Sequence, residues 1–292
     1  MLKRSVYLLF LVFLLLLSCE QAHRSVSEFD IFVDDLGRQV KLPKRVERVV
    51  SLAPSLTEII FAVKAEDKLV GVTTYCDFPE PAREIEKVGD TIRPSLERII
   101  SLKPDVVFVS TASQLEGFVR LLEQKGISVF VTNPSSIEKI LENIEVIGKI
   151  VERDNEAQSL VEQLRKRIER VEEKSKDLSR PRVFVQIDKS LFTVGKDSFI
   201  TDLIRKAGGI SVTENIENSY PKVSKETALS LNPEVIILPD SPDNGEPNEV
   251  FSNSDAVRNG RVYKINSDVL SRPGPRIVDA LEQVSEMIHG KQ

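Results

Sequence analysis

"SLERIISLKPDVVFV", residues 95–109, returns in altered form as "SKETALSLNPEVIIL", residues 224–238. Glu97 and Glu226 stand 129 positions apart, as do Ser101 and Ser230, and Pro104 and Pro233. In each copy a Ser opens a helical stretch, a Pro ends it, and an apolar β-branched run follows. Each copy therefore reads as a helix turning into a buried strand. A chain that writes this unit twice predicts two α/β lobes of similar plan.

The flanking segments extend the pattern. "DIFVDDLGRQVKL" (30–42) alternates apolar and polar residues about an Asp-Asp-Leu-Gly turn and predicts a hairpin. "RVVSLAP" reads as a strand closed by Pro54, and "SLTEIIFAVKA" as a helix with Ser55 as N-cap. "KLVGVTTY", "DVVFVS" and "ISVFVTN" read as strands, and "QLEGFVRLLEQKG" as a helix ending at Gly126. Such alternation describes a mostly parallel sheet flanked by helices. Residues 136–178 read as one long charged helix, with Glu–Lys and Glu–Arg pairs at spacings of three and four. Beyond Pro181, "RVFVQI", "LFTVG", "EVIILPD" and "RVYKI" read as strands, "FITDLIRKAGG" as a helix, and "GPRIVDALEQVSEMIHG" as the last helix. The expected fold is α/β, with two Rossmann-like lobes joined by one long rigid helix. The lobes are residues 29–135 and 181–292, with a helical region over 136–180 that includes the linker.

Composition narrows the function. The net charge of −5 gives no reason to expect nucleic acid, which usually calls for a basic face. The two histidines, His23 and His289, sit near the ends, which removes a polyhistidine metal site and any Ser-His-Asp set. "GKDS" (195–198) lacks the phosphate-loop spacing, with Ser190 and Asp197 at the deciding places. The expectation is no catalytic residue, no metal, no cofactor and no enzyme. Cys76 reads as a small, semi-buried residue.

The N-terminus carries an address. Lys3 and Arg4 precede "VYLLFLVFLLLLS", an apolar run short of the roughly 20 residues that span a bilayer, and the run closes at Cys19. Residues 1–19 resemble a bacterial lipoprotein signal peptide. That resemblance implies cleavage before Cys19, the first mature residue, lipid on Cys19, and a tether over 20–28. A plain signal peptide or membrane anchor with an incidental cysteine is the alternative.

Four loops stand out. They carry Tyr75 and Phe78, then Phe192, then Tyr220, then Asp268 and Arg272. Flat aromatics with a few polar groups suit a large, partly apolar ligand with amide edges, although Phe78 and Phe192 taken singly would fit a core as well. Glu97 and Glu226 fall in first helical turns, where a carboxylate gains about 0.3–1 kcal/mol from the helix dipole. As a matched pair they would also suit a partner carrying two symmetric arginines.

"RVVSLAPSLTEIIFA", "VGVTTYCDFP", "LERIISLKPDVV", "VFVQIDKSLFTVGKDS", "YPKVSKE" and "SDVLSRPGPRI" together resemble the vitamin B12- and iron-siderophore-binding family of bacterial ABC-importer substrate-binding proteins, the class III periplasmic binding proteins. The resemblance runs from about Arg48 to the C-terminus. It implies an extracytoplasmic monomer, lipid-anchored to the membrane through Cys19, that holds a corrinoid (vitamin B12 or cobinamide) between its lobes. It implies ligand contacts at Tyr75, Phe192, Tyr220, Asp268 and Arg272. It also implies that Glu97 and Glu226 dock on arginines of a permease dimer served by ATPase subunits. The chain departs from the pattern in having no Trp. Thr91 and Tyr220 stand where the vitamin B12-binding members have tryptophans, and haem-binding members carry a Tyr near Thr91. A ferric siderophore is the alternative cargo, and a ligand-sensing surface lipoprotein the alternative role.

Overall fold

The computed structural model describes residues 29–290. The expected signal peptide, Cys19 and the tether lie outside the described residues. The hairpin is present as β1 (Phe29–Val33) and β2 (Gln39–Pro43), antiparallel, with Phe32 opposite Val40. Its turn is held by Asp34, whose carboxylate accepts from the backbone N–H groups of Leu36 and Arg38, and by Gly37 at φ +74°.

The first lobe is a parallel sheet of β3 (Val49–Ser51), β4 (Leu69–Val72), β5 (Val106–Ser110) and β6 (Val129–Thr132), in the order β4-β3-β5-β6. The helices α1 (Pro54–Ala62), α2 (Leu96–Ser101) and α3 (Glu116–Gln124) follow β3, β4 and β5. The second lobe has β7 (Arg182–Val185), β8 (Ile210–Ser211), β9 (Val235–Pro239) and β10 (Val262–Ile265), ordered β10-β9-β7-β8. In both lobes the first strand is interior, with the second strand on one side and the third and fourth on the other. The repeated segments occupy the same place in each: α2 leads to β5, and α7 (Lys225–Leu231) leads to β9. Ser95 and Ser224 cap their helices by accepting from the N–H of Arg98 and of Thr227. Before each proline the chain turns through a left-handed residue, Lys103 at φ 46° and Asn232 at φ 37°.

Three expectations are corrected, and one short strand was not foreseen. The N-cap of α1 is Ala53, with Pro54 in the first turn, where its missing N–H costs nothing; Ser55 lies inside the helix. "LFTVG" joins no sheet, because its backbone pairs with residues 219–223 instead. The two-residue strand β8 is too short to leave a periodic signal. Residues 136–178 form two helices, α4 (Ile137–Ile150) and α5 (Asp154–Ser175), broken at left-handed Glu152. The helices pack closely at the break: a Cβ on Gly148 would lie 2.3 Å from that of Ala157.

The joining helix is α5, about 33 Å long at 1.5 Å per residue. At its start Arg153 donates to the Lys64 carbonyl, and Glu152 pairs with Lys68 of the first lobe. Further along, Arg167 pairs with Asp279 and Glu282 at 2.6 and 2.7 Å on α10 (Ile277–His289) of the second lobe. One continuous apolar core runs from Leu42 and Val49 through Ile60, Ile144 and Val161 to Leu203 and Val284. Burial of this kind contributes about 25 cal/mol per Å², so parting the lobes on the helical side is costly.

Candidate functional site

The loops after the parallel strands meet at a seam between the lobes. Glu58, on α1, has a side chain 2% exposed. Arg276, at the start of α10, donates to its carboxylate from Nε at 2.8 Å and from a terminal nitrogen at 2.6 Å. Arg272 adds a third bond at 3.0 Å and also donates to Asp77 at 2.9 Å. Asp268 meets the other terminal nitrogen of Arg272 at 2.9 Å. The guanidinium of Arg276 lies over the ring of Phe78, 4.0 Å from its centroid. Five acidic and basic side chains, two from the first lobe and three from the second, thus close one network.

Local sequence explains the arrangement. Residues 266–272, expected as loop, include the short helix α9 (Ser267–Ser271), capped by Asn266. One helical turn puts Asp268 and Arg272 on the same side. Gly274 then passes Ser55 so closely that a Cβ there would lie 3.3 Å from the Ser55 carbonyl.

Charge states follow from the pairing. Burial works against the Arg272 cation, but hydrogen bonds to Glu58 and Asp77 and the charge of Asp268 outweigh it and hold its pKa above the ordinary value. Burial likewise raises Asp77, yet the hydrogen bond and charge of Arg272 prevail and keep its carboxyl below the ordinary 3.8.

The structure gathers the sequence-predicted residues into two groups. Asp268 and Arg272 are in the seam, and Tyr75, 58% exposed, stands two residues before Asp77 in the chain. Arg272 is not a free loop arginine, since three carboxylates hold it. Phe192 and Tyr220 form the second group, in the second lobe. Thr193 N–H donates to the Pro221 carbonyl, Phe192 bridges to Lys222, and the Lys222 ammonium sits 5.6 Å from the Phe192 ring centroid. Both aromatics are partly open, at 39% and 45%. Burial at the Tyr220 hydroxyl raises its pKa, opposed by a hydrogen bond with Ser198. Glu97 and Glu226 are both exposed in the first turns of α2 and α7, outside both groups. The Glu226 backbone N–H and the Ser224 hydroxyl lower its carboxyl pKa.

Three members of the seam network escaped sequence reasoning: Glu58, Asp77 and Arg276. The available signal was the lone charge in "SLTEIIFA", set among residues that are otherwise apolar or small and polar. Cys76, expected half-buried, is 1% exposed, with its sulfur 3.1 and 3.2 Å from the Thr57 and Thr73 hydroxyls. Among the described residues no three His, Cys, Asp or Glu side chains are grouped to hold a metal ion.

Three comparisons bear on this geometry. The family model described as "Periplasmic binding protein" matches residues 49–269. An uncharacterized ABC transporter substrate-binding lipoprotein of Bacillus subtilis is 30% identical, over 92% of this chain and 88% of that protein. A vitamin B12-binding protein of Vibrio vulnificus is 32% identical, over 82% of this chain and 89% of that one. The crystal structure of the periplasmic vitamin B12-binding protein of Vibrio cholerae superimposes with a TM-score of 0.76 at 30% identity, over 84% of this chain and 98% of that one.

Proposed function

The chain belongs to the periplasmic binding protein family, and from that premise we propose that it is the extracytoplasmic, lipid-anchored substrate-binding component of an ABC importer whose cargo is a corrinoid. The observation that carries the cargo is the 32% identity to a vitamin B12-binding protein over 82% of this chain. The site agrees with it: Tyr75 on one lobe, and Phe192 and Tyr220 on the other, keep ring surface open. Ring faces of this kind take up a flat macrocycle, and the polar groups beside them take up its amide rim. The 30% identity to a substrate-binding lipoprotein supports the anchor at Cys19.

In this reading the ligand sits between the lobes while the seam network and the shared core limit their movement to a small hinge. Glu97 and Glu226, exposed at matched sites of the two lobes, grip arginines of the permease dimer. ATP hydrolysis on that assembly then parts the lobes and frees the cargo. Thermal unfolding with and without cyanocobalamin tests the binding role. A ligand held only by the folded chain adds about 2.7 kcal/mol of apparent stability at a hundred times its Kd. An unfolding temperature that ignores every corrinoid would remove the cargo assignment.

A further inference from the structure

The hairpin has one face built into the protein and one face turned out. Phe32, Val40 and Leu42 pack into the main core. On the opposite face Ile31 is 57% exposed and Val33 59%, and Leu36 at the turn is 50% exposed. Strand alternation normally places polar residues on a solvated face. Here two β-branched apolar residues stand in that row. Their cross-strand neighbours are Lys41 opposite Ile31 and Gln39 opposite Val33, and Lys44 and Arg45 follow at the end of β2.

We propose that this outward face of the hairpin rests on the bilayer surface to which the chain is tethered. The inference rests on the reading of Cys19 as the lipid anchor. Ten peptide steps separate Cys19 from Phe29. At no more than about 3.6 Å each, they keep the start of β1 within about 36 Å of the acyl chains. The intervening residues, "EQAHRSVSE", contain only one Ala and one Val, too little apolar surface to cover the row themselves. Apolar side chains flanked by lysines are the composition that settles at a headgroup boundary. The anchor supplies proximity, and the hairpin face fixes which side of the first lobe meets the lipid.

The chain has no Trp, so one indole reports on one place. The lipidated full chain carrying Ile31→Trp is incorporated into phosphatidylcholine and phosphatidylglycerol vesicles with and without brominated lipid. Val33→Trp is a second probe on the same face, and Asn259→Trp in the other lobe is the control. The expected result is emission shifted to shorter wavelength and lost to brominated lipid for the probes at 31 and 33, with the control unchanged. Palmitate labelling at Cys19 is read in the same samples. A labelled, vesicle-bound chain whose probes at 31 and 33 are not quenched overturns the proposal while the anchor stands. A chain that takes up no label overturns it through its premise. A shift that appears without vesicles and grows with protein concentration assigns the face to a second copy instead and also overturns it.

Discussion

Glu58 and Arg276, 218 residues apart in the chain, are joined by two hydrogen bonds of 2.8 and 2.6 Å across the seam between the lobes. Glu58 is nearly sealed from water, with its side chain 2% exposed. An ion pair in that setting stabilises little relative to an apolar pair, but breaking it leaves a charge stranded. Glu58→Ala is therefore expected to cost about 3–5 kcal/mol in urea unfolding. Asp268→Asn, whose carboxylate is half in water, is expected to cost under about 1 kcal/mol. Equal, small losses for both would show that the seam holds the lobes together only weakly.

The network also predicts an acid limb. Asp77 has a folded pKa below its ordinary 3.8, net of the burial that opposes the lowering, because of Arg272. A depressed carboxylate contributes stability in full above its unfolded pKa and loses it as pH falls through the lower folded value. The Asp77→Asn variant should therefore differ from the parent at neutral pH and converge with it as the pH falls through the lowered folded pKa of Asp77. Parallel stability curves over that range would detach Asp77 from the effect.

Charge reversal at Glu97 and Glu226 separates docking from binding. Both side chains are exposed and lie outside the seam network. The double Arg substitution should abolish uptake in a reconstituted importer and leave ligand affinity unchanged. Uptake that survives it would return both glutamates to the role of helix-dipole partners.

The aromatic groups should carry much of the affinity. Tyr75→Ala and Tyr220→Ala are each expected to weaken corrinoid binding by on the order of 1–3 kcal/mol, by analogy with base–aromatic stacking. Every 1.4 kcal/mol is about tenfold in Kd. A variant with unaltered affinity would place its tyrosine outside the site.

Much of this architecture was legible because it rests on local rules. The repeat at 95–109 and 224–238 locates the same helix-to-strand unit in both lobes, down to the serine caps. The break at Glu152 was not legible, since "IVERDNE" offers neither Gly nor Pro at the turn itself. The break depends on the close pass of Gly148 and Ala157, a contact between helices. The extended run at 191–195 was misread as a sheet strand for a similar reason. Its alternation is genuine, but its partner is the loop at 219–223. The seam was least legible of all. Glu58 meets Arg272 and Arg276 across more than 200 residues, and no spacing rule reaches that far. Of the expected site residues, Asp268 and Arg272 fell in the seam; of the three others that complete the network, Glu58, Asp77 and Arg276, only Glu58 left a trace in the sequence.

Titration calorimetry of the mature chain with cyanocobalamin, cobinamide and a ferric hydroxamate siderophore tests the cargo most directly. The account predicts tight one-to-one binding of a corrinoid and none of the siderophore. Binding of the siderophore alone, or heat from none of the three, would contradict it.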